Sequence, residues 1–152
     1  MKLKRLLSGL LAAMMLVSAM TAIAPASAEE NFPFTDVTST DWAYGSIKYV
    51  TEEGLMNGTG GTNFTPKANL TRAMVITVLY RMEGSPRVIF NENDYLDVAD
   101  GQFYSDATAW AYGEGIITGT STDDWGIPMI SPSRDITRQE LATMFVRYAN
   151  FK

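Results

Sequence analysis

Phe34-Thr35-Asp36-Val37 returns 61 positions later as Tyr95-Leu96-Asp97-Val98. Gly54-Leu55-Met56-Asn57-Gly58 returns at the same offset as Gly115-Ile116-Ile117-Thr118-Gly119. Phe64-Thr65-Pro66 is matched by Ile130-Ser131-Pro132, and Leu70-Thr71-Arg72 by Ile136-Thr137-Arg138, both now 66 positions apart. Order and spacing survive, so one supersecondary unit is used twice, and such a unit buries its apolar face by stacking on its copies. A duplication of this kind suits holding on to something better than it suits chemistry.

The growth of the offset from 61 to 66 marks a five-residue insertion around 121–129, a segment that carries Asp123, Asp124 and Trp125. An identical tetrapeptide, Trp42-Ala43-Tyr44-Gly45 and Trp110-Ala111-Tyr112-Gly113, invites a different alignment. The frame rejects it. Asp36 to Gly54 and Asp97 to Gly115 are both 18 positions, which pairs Trp42 with Phe103 and Tyr49 with Trp110. The shared tetrapeptide is an echo that belongs to no register.

Within the first unit, Ser39-Thr40-Asp41 offers side-chain caps for a helix over 41–53. Its apolar face is Trp42, Ala43, Ile47 and Val50, and Gly54 ends it. A glycine-rich loop through Gly58, Gly60 and Gly61 leads to the extended Phe64-Thr65-Pro66, where proline disfavours helical geometry before it. Thr71 then caps a second helix with Val75, Val78, Leu79 and Met82 at helical spacing, stopped by Gly84-Ser85-Pro86. The second unit has the same plan. A helix starting near Ser105 runs through Trp110 to Glu114 and stops at Gly115. A second is capped by Thr137, where Glu140 completes a capping box. The first unit has Met74 at that place. The expected fold class is therefore all-α, as two helix–loop–helix units over 34–83 and 95–149, joined by a linker at 84–94.

The start of the chain reads differently. Lys2, Lys4 and Arg5 precede an apolar run over 6–23, and Ala26-Ser27-Ala28 is a small-residue cleavage site followed by Glu29-Glu30. This is the pattern of a secretory signal peptide over 1–28. Its removal from 152 residues leaves 124, enough for one domain, and takes three cations with it. Nine Lys and Arg then face 17 Asp and Glu, a net charge of −8, which argues against nucleic acid or an anionic membrane as partner. No second apolar run is long enough to span a bilayer. The chain has no cysteine and no histidine. It therefore lacks disulfides and a lipid-anchoring thiol, and with them the commonest general base and metal ligand. The acidic stretch 92–100 lacks the glycine and ligand spacing of a calcium loop. No metal or cofactor is expected, and no pair of carboxylates stands out as a glycan hydrolase would require.

Taken in order, the F-x-D-V opening, the aromatic at the next helix start, G-[IL]-x-x-G, the x-x-P stretch and [LI]-T-R resemble the S-layer homology domain. The resemblance covers about 34–83 and 95–149. It implies helix–loop–helix units that form part of a pseudo-threefold helical bundle. It further implies a secreted, non-catalytic module at the bacterial cell surface, anchoring to an anionic, pyruvylated secondary cell-wall polysaccharide through grooves between repeats. The ligand residues it implies are Arg72 and Arg138, the aromatics Trp42 and Phe103, and the loop glycines Gly54, Gly58, Gly115 and Gly119.

The residues themselves add to this. Both arginines fall in the first turn of a helix, where free amides and the helix dipole favour an anion, and a guanidinium can take a carboxylate bidentately. The ordinary alternative is a surface arginine paired with a neighbouring carboxylate. Trp42 and Phe103 could stack on a sugar face or anchor the core. Asp36 and Asp97 read best as turn caps, and the glycines as backbone-shape residues that let a ligand approach. Two units where the family commonly has three leave apolar surface in want of a partner. The partner could be a second copy or another protein's repeats, which is the alternative reading of the chain as an assembly protein that binds no glycan itself.

Overall fold

The computed structural model describes residues 32–152, and the expected signal peptide lies outside them. The unit Phe34–Lys152 holds four α-helices: α1 (Tyr44–Glu52), α2 (Arg72–Met82), α3 (Ser105–Gly113) and α4 (Arg138–Phe151). The offsets of the sequence recur in space. Helix α3 begins and ends 61 residues after α1, and α4 begins 66 residues after α2.

The all-α expectation needs one correction. The insertion forms a two-stranded antiparallel ribbon, β1 (Ser121–Thr122) against β2 (Pro128–Met129). In the first unit the shorter loop closes with a single bridge between Gly60 and Asn63. The extra residues give the second loop room for a ladder. Its turn is tied by Asp123 Oδ1, which accepts from the amides of Trp125 at 3.0 Å and Ile127 at 2.8 Å.

A second correction concerns the first helix. It begins at Tyr44, and its N-cap, Ala43, has no side-chain cap. Asp41 spends its carboxylate backwards, accepting from the Thr38 amide at 2.6 Å and the Thr38 hydroxyl at 3.0 Å, which closes the preceding turn. Trp42 is therefore outside the helix and does not share a buried face with Ile47. Ser105 likewise turns back, accepting from the Gln102 amide at 2.9 Å and donating to the Ala99 carbonyl at 2.8 Å. The second helices start as their sequences require. Thr71 Oγ1 accepts from the Met74 amide at 3.3 Å. Thr137 and Glu140 form the reciprocal box, Glu140 amide to Thr137 Oγ1 at 3.2 Å and Thr137 amide to Glu140 Oε2 at 3.0 Å.

The core lies between units rather than within each. Helix α2 of the first unit packs on α3 of the second. Ile76, Thr108 and Ala111 are wholly buried there, and the small Ala107 and Ala111 let the helices approach. Trp110 is 4% exposed, with its ring 5.7 Å from Tyr80 on one side and 5.7 Å from Phe151 on the other. Ile116, Ile117 and Ile130 complete the cluster, and each fully buried isoleucine contributes about 2 kcal/mol.

The far ends of α2 and α4 are tied by Tyr148, whose hydroxyl donates to Glu83 Oε1 at 2.5 Å, and by Lys152, 3.1 Å from the same carboxylate. The bond to Glu83 pushes the Tyr148 hydroxyl up to about 12. Tyr148→Phe is expected to cost about 2 kcal/mol, the range for a hydrogen bond to a charged acceptor, measured as a drop in the urea midpoint at unchanged slope.

Candidate functional site

Each unit delivers its chain into the second helix through a turn clamped by one aspartate. Asp36 accepts from the amides of Phe64 at 2.8 Å and Thr65 at 2.7 Å. Asp97 accepts from those of Ile130 and Ser131, both at 2.7 Å. The bond from the Phe64 amide holds the Asp36 carboxyl below its ordinary range. Thr65 and Ser131 both have φ 54°, a left-handed conformation that is strained for a side chain with a Cβ. Two charge-assisted bonds hold each strained residue in place. The aspartates are turn caps, in line with their sequence context.

These turns bring the two helix starts together. The amides of Arg72 and Ala73, the first of α2, donate to the carbonyls of Arg134 at 2.9 Å and Pro132 at 3.0 Å. The Ile136 amide donates to the Leu70 carbonyl at 3.0 Å. Asn69 Nδ2 donates to Asp135 Oδ2 at 2.8 Å. The Arg72 side chain, 3% exposed, follows the same route. Its Nε donates to the Ile130 carbonyl at 2.9 Å and its Nη1 to Glu140 Oε1 at 3.0 Å. Burial pulls the Arg72 guanidinium below its ordinary value, while the Glu140 charge opposes that shift.

The expectation that both helix starts present free amides is thus corrected for the first unit. The amides of α2 are consumed by carbonyls of the second unit, and its arginine by a buried ion pair. The start of α4 is different. Arg138 is exposed, and its guanidinium has no hydrogen-bond or ion-pair partner among the described residues. It lines a cleft between the two loops with Asn69, Leu70, Asp135, Ile136 and Thr137.

Glu140 is the hinge of the charges. Beside Arg72 it takes both Nη atoms of Arg134, at 2.5 and 3.2 Å. Arg134 above all, then the amide and hydroxyl of Thr137 and the charge of Arg72, hold the Glu140 carboxyl down at about 2 against burial. A carboxyl with a lowered folded-state value stabilises the fold in full above its ordinary value of 4.5, and that stabilisation is lost as pH falls through about 2. Glu83 and Asp36 shift in the same direction. The melting temperature is therefore expected to fall between pH 4.5 and 2, with a shallower fall for Glu140→Gln across the same titration.

The other proposed site residues fall into two groups. Trp42 and Phe103 occupy the turns before α1 and α3 and are 97% and 61% exposed, so neither anchors the core. Gly54 and Gly115 end α1 and α3 with φ of 68° and 70°, and a Cβ at either would meet open space. Gly58 and Gly119 are tighter. A Cβ at Gly58 would stand 2.4 Å from the Asn63 carbonyl oxygen, and one at Gly119 2.9 Å from that of Met129. Both close their loops against backbone.

Arg134 and Glu140 are not among the site residues that the sequence proposes. A signal for them exists, since both break the duplication. Arg134 stands where the first unit has Ala68, and Glu140 where it has Met74. Among the described residues no group of three or more metal-binding side chains occurs.

A duplicated helix–loop–helix unit with one arginine locked into the joint and its counterpart open on a cleft defines a repeat-built protein. Residues 33–73 match the family model of the S-layer homology domain, and the chain carries that domain. It is 31% identical to an endoglucanase of Bacillus sp. (strain KSM-635) over 157 aligned positions, covering 96% of this chain and 15% of the relative. It is 30% identical to a surface-layer 125 kDa protein of Lysinibacillus sphaericus, covering 79% of this chain and 10% of that one. A cellulosome-anchoring protein of Acetivibrio thermocellus is 38% identical over 56 positions, 37% of this chain and 12% of the relative. The chain thus spans a small part of the length of each of these relatives.

Proposed function

We propose that this protein is a non-catalytic anchoring module that holds to the bacterial cell wall by an anionic, pyruvate-bearing polysaccharide. Its family and its S-layer and cellulosome-anchoring relatives make it a cell-surface anchoring module. The observation that carries the finer reading is the open start of α4. There a solvent-facing Arg138 lies over a cleft between the two units in a chain whose overall charge is negative. A guanidinium at a helix start recognises a carboxylate with both geometry and charge. In this reading Arg138 is the direct contact, and Arg72 shapes the cleft from inside the joint. Gly58 and Gly119 hold the loops close, Gly54 and Gly115 end the first helices, and Trp42 and Phe103 offer flat apolar faces to sugar rings.

The test is sedimentation with purified wall sacculi, before and after acid extraction of the secondary polymer. Binding is expected to disappear with the polymer, and Arg138→Ala is expected to weaken it about tenfold or more, the size of a lost charge-assisted pair. Binding unchanged by extraction would point to peptidoglycan instead and overturn the reading. Absence of binding accompanied by stable oligomers would favour an assembly protein.

A further inference from the structure

The cleft that Arg138 lines has a second polar wall. Asn69 and Asp135 stand at the same place of the two units, 66 positions apart, each three residues before the arginine of its motif. They meet across the joint, where Asn69 Nδ2 donates to Asp135 Oδ2 at 2.8 Å, and both line the cleft. The backbone holds them in register. Thr71 and Asp135 form an isolated antiparallel bridge. It is flanked by the Arg72 amide on the Arg134 carbonyl at 2.9 Å and the Ile136 amide on the Leu70 carbonyl at 3.0 Å. These bonds make the joint without help from the two side chains. An exposed side-chain bond contributes little to them, because water replaces either partner.

What the pair displays is one-sided. A carboxylate has no proton to give, so the amide nitrogen of Asn69 is the atom turned towards it, and the amide oxygen is left over. Neither Asn69 Oδ1 nor Asp135 Oδ1 has a hydrogen-bond partner among the described residues. This wall therefore offers acceptors alone, while Arg138 offers donors alone. Charge divides the cleft in the same way. Arg138 brings a positive charge and Asp135 a negative one, so a ligand carrying only an acid group gains at the first and loses at the second. The first unit has the neutral Asn69 at this place, so the backbone of the motif does not require a carboxylate there. We propose that Asn69 and Asp135 determine the specificity of the cleft. They accept from a donor group, a hydroxyl or an ammonium, that the ligand carries beside the acid group taken by Arg138. This rests on the reading of Arg138 as the contact to an acid-bearing wall glycan, and it narrows that ligand to a sugar that presents both groups within one cleft.

The test is sedimentation of the full chain with wall sacculi that retain their secondary polymer, for the wild type, Asp135→Ala, Asp135→Asn and Arg138→Ala, beside urea unfolding of each. A second set of sacculi has its amines capped with acetic anhydride in cold bicarbonate, which removes ammonium groups and leaves hydroxyls. Asp135→Ala is expected to weaken binding about tenfold, the size of a lost hydrogen bond to a charged group, at an unchanged urea midpoint. Asp135→Asn, which keeps the shape and drops the charge, should weaken it less. Capping names the donor, and either answer supports the proposal. Equal wild-type binding before and after identifies a hydroxyl, and a loss that Asp135→Ala does not share identifies an ammonium. An Asp135 variant that binds as tightly as the wild type, or more tightly, would overturn the proposal, because the carboxylate would then be idle or would only repel the acid group. So would weakened binding that merely follows a lowered urea midpoint, since the role of Asp135 would then be structural. Both results leave the reading of Arg138 standing as long as Arg138→Ala weakens binding. Undiminished binding by Arg138→Ala would remove that reading, and this proposal with it.

Discussion

Replacing Glu140 by alanine is expected to lower the free energy of unfolding by about 3 kcal/mol, the scale for removing one partner of a buried ion pair. The carboxylate receives Arg72 Nη1, both Nη atoms of Arg134, and the amide and hydroxyl of Thr137. Arg72 is the member that cannot recover. With 3% of its surface exposed, it would keep the Ile130 carbonyl and, as counter-charge, only Asp97, with which it forms no ion pair. Arg134 is partly exposed and can turn to water, so its share of the loss is small. The measurement is chemical unfolding of the single variant beside the double variant Arg72→Met, Glu140→Met. If burial of an unpaired charge is the cause, the double variant recovers much of the loss. A double variant as unstable as the sum of the two single ones would refute that account.

Gly58→Ala is expected to cost about 3 kcal/mol, and Gly54→Ala only about 1 kcal/mol. Both glycines have positive φ, 73° and 68°, so both substitutions carry the backbone cost. Only Gly58 adds a collision. Its Cβ would lie 2.4 Å from the Asn63 carbonyl oxygen and 2.7 Å from Phe34 Cε1. The carbonyl belongs to the loop itself, which is closed by the Thr59 amide on the same Asn63 oxygen at 3.0 Å. The Phe34 ring is buried and packed on Phe64, with ring centroids 5.2 Å apart. Relief would thus disturb the loop and the start of the unit together. Equal losses for the two alanine variants, read from thermal unfolding, would show that the loop yields and that backbone conformation alone decides.

Much of the architecture is legible along the chain. Regular spacing of F-x-D-V, the glycines and [LI]-T-R locates both units, and the frame of 18 positions between Asp and Gly overrides the Trp-Ala-Tyr-Gly echo. The structure bears out that choice in the helix bounds, since α3 begins and ends 61 residues after α1. Thr71, Thr137 and Glu140 announce their caps because capping depends on residues three apart. The start of α1 is not legible in the same way. Asp41 has two local options, forward to a helix amide or back to Thr38, and periodicity does not distinguish them.

What sequence alone determined about this protein is what depends on neighbours along the chain: the duplication, the turns, the caps and the helix ends. The roles of the two arginines depend on contacts 58 and 68 residues distant, from Arg72 to Ile130 and to Glu140. In the sequence Arg72 and Arg138 are the same residue of the same motif. Only the tertiary structure separates them, because stacking two equal units head to tail covers one helix start and leaves the other open. A repeat specifies both halves of its joint locally. Which half finds a partner is a property of the stack.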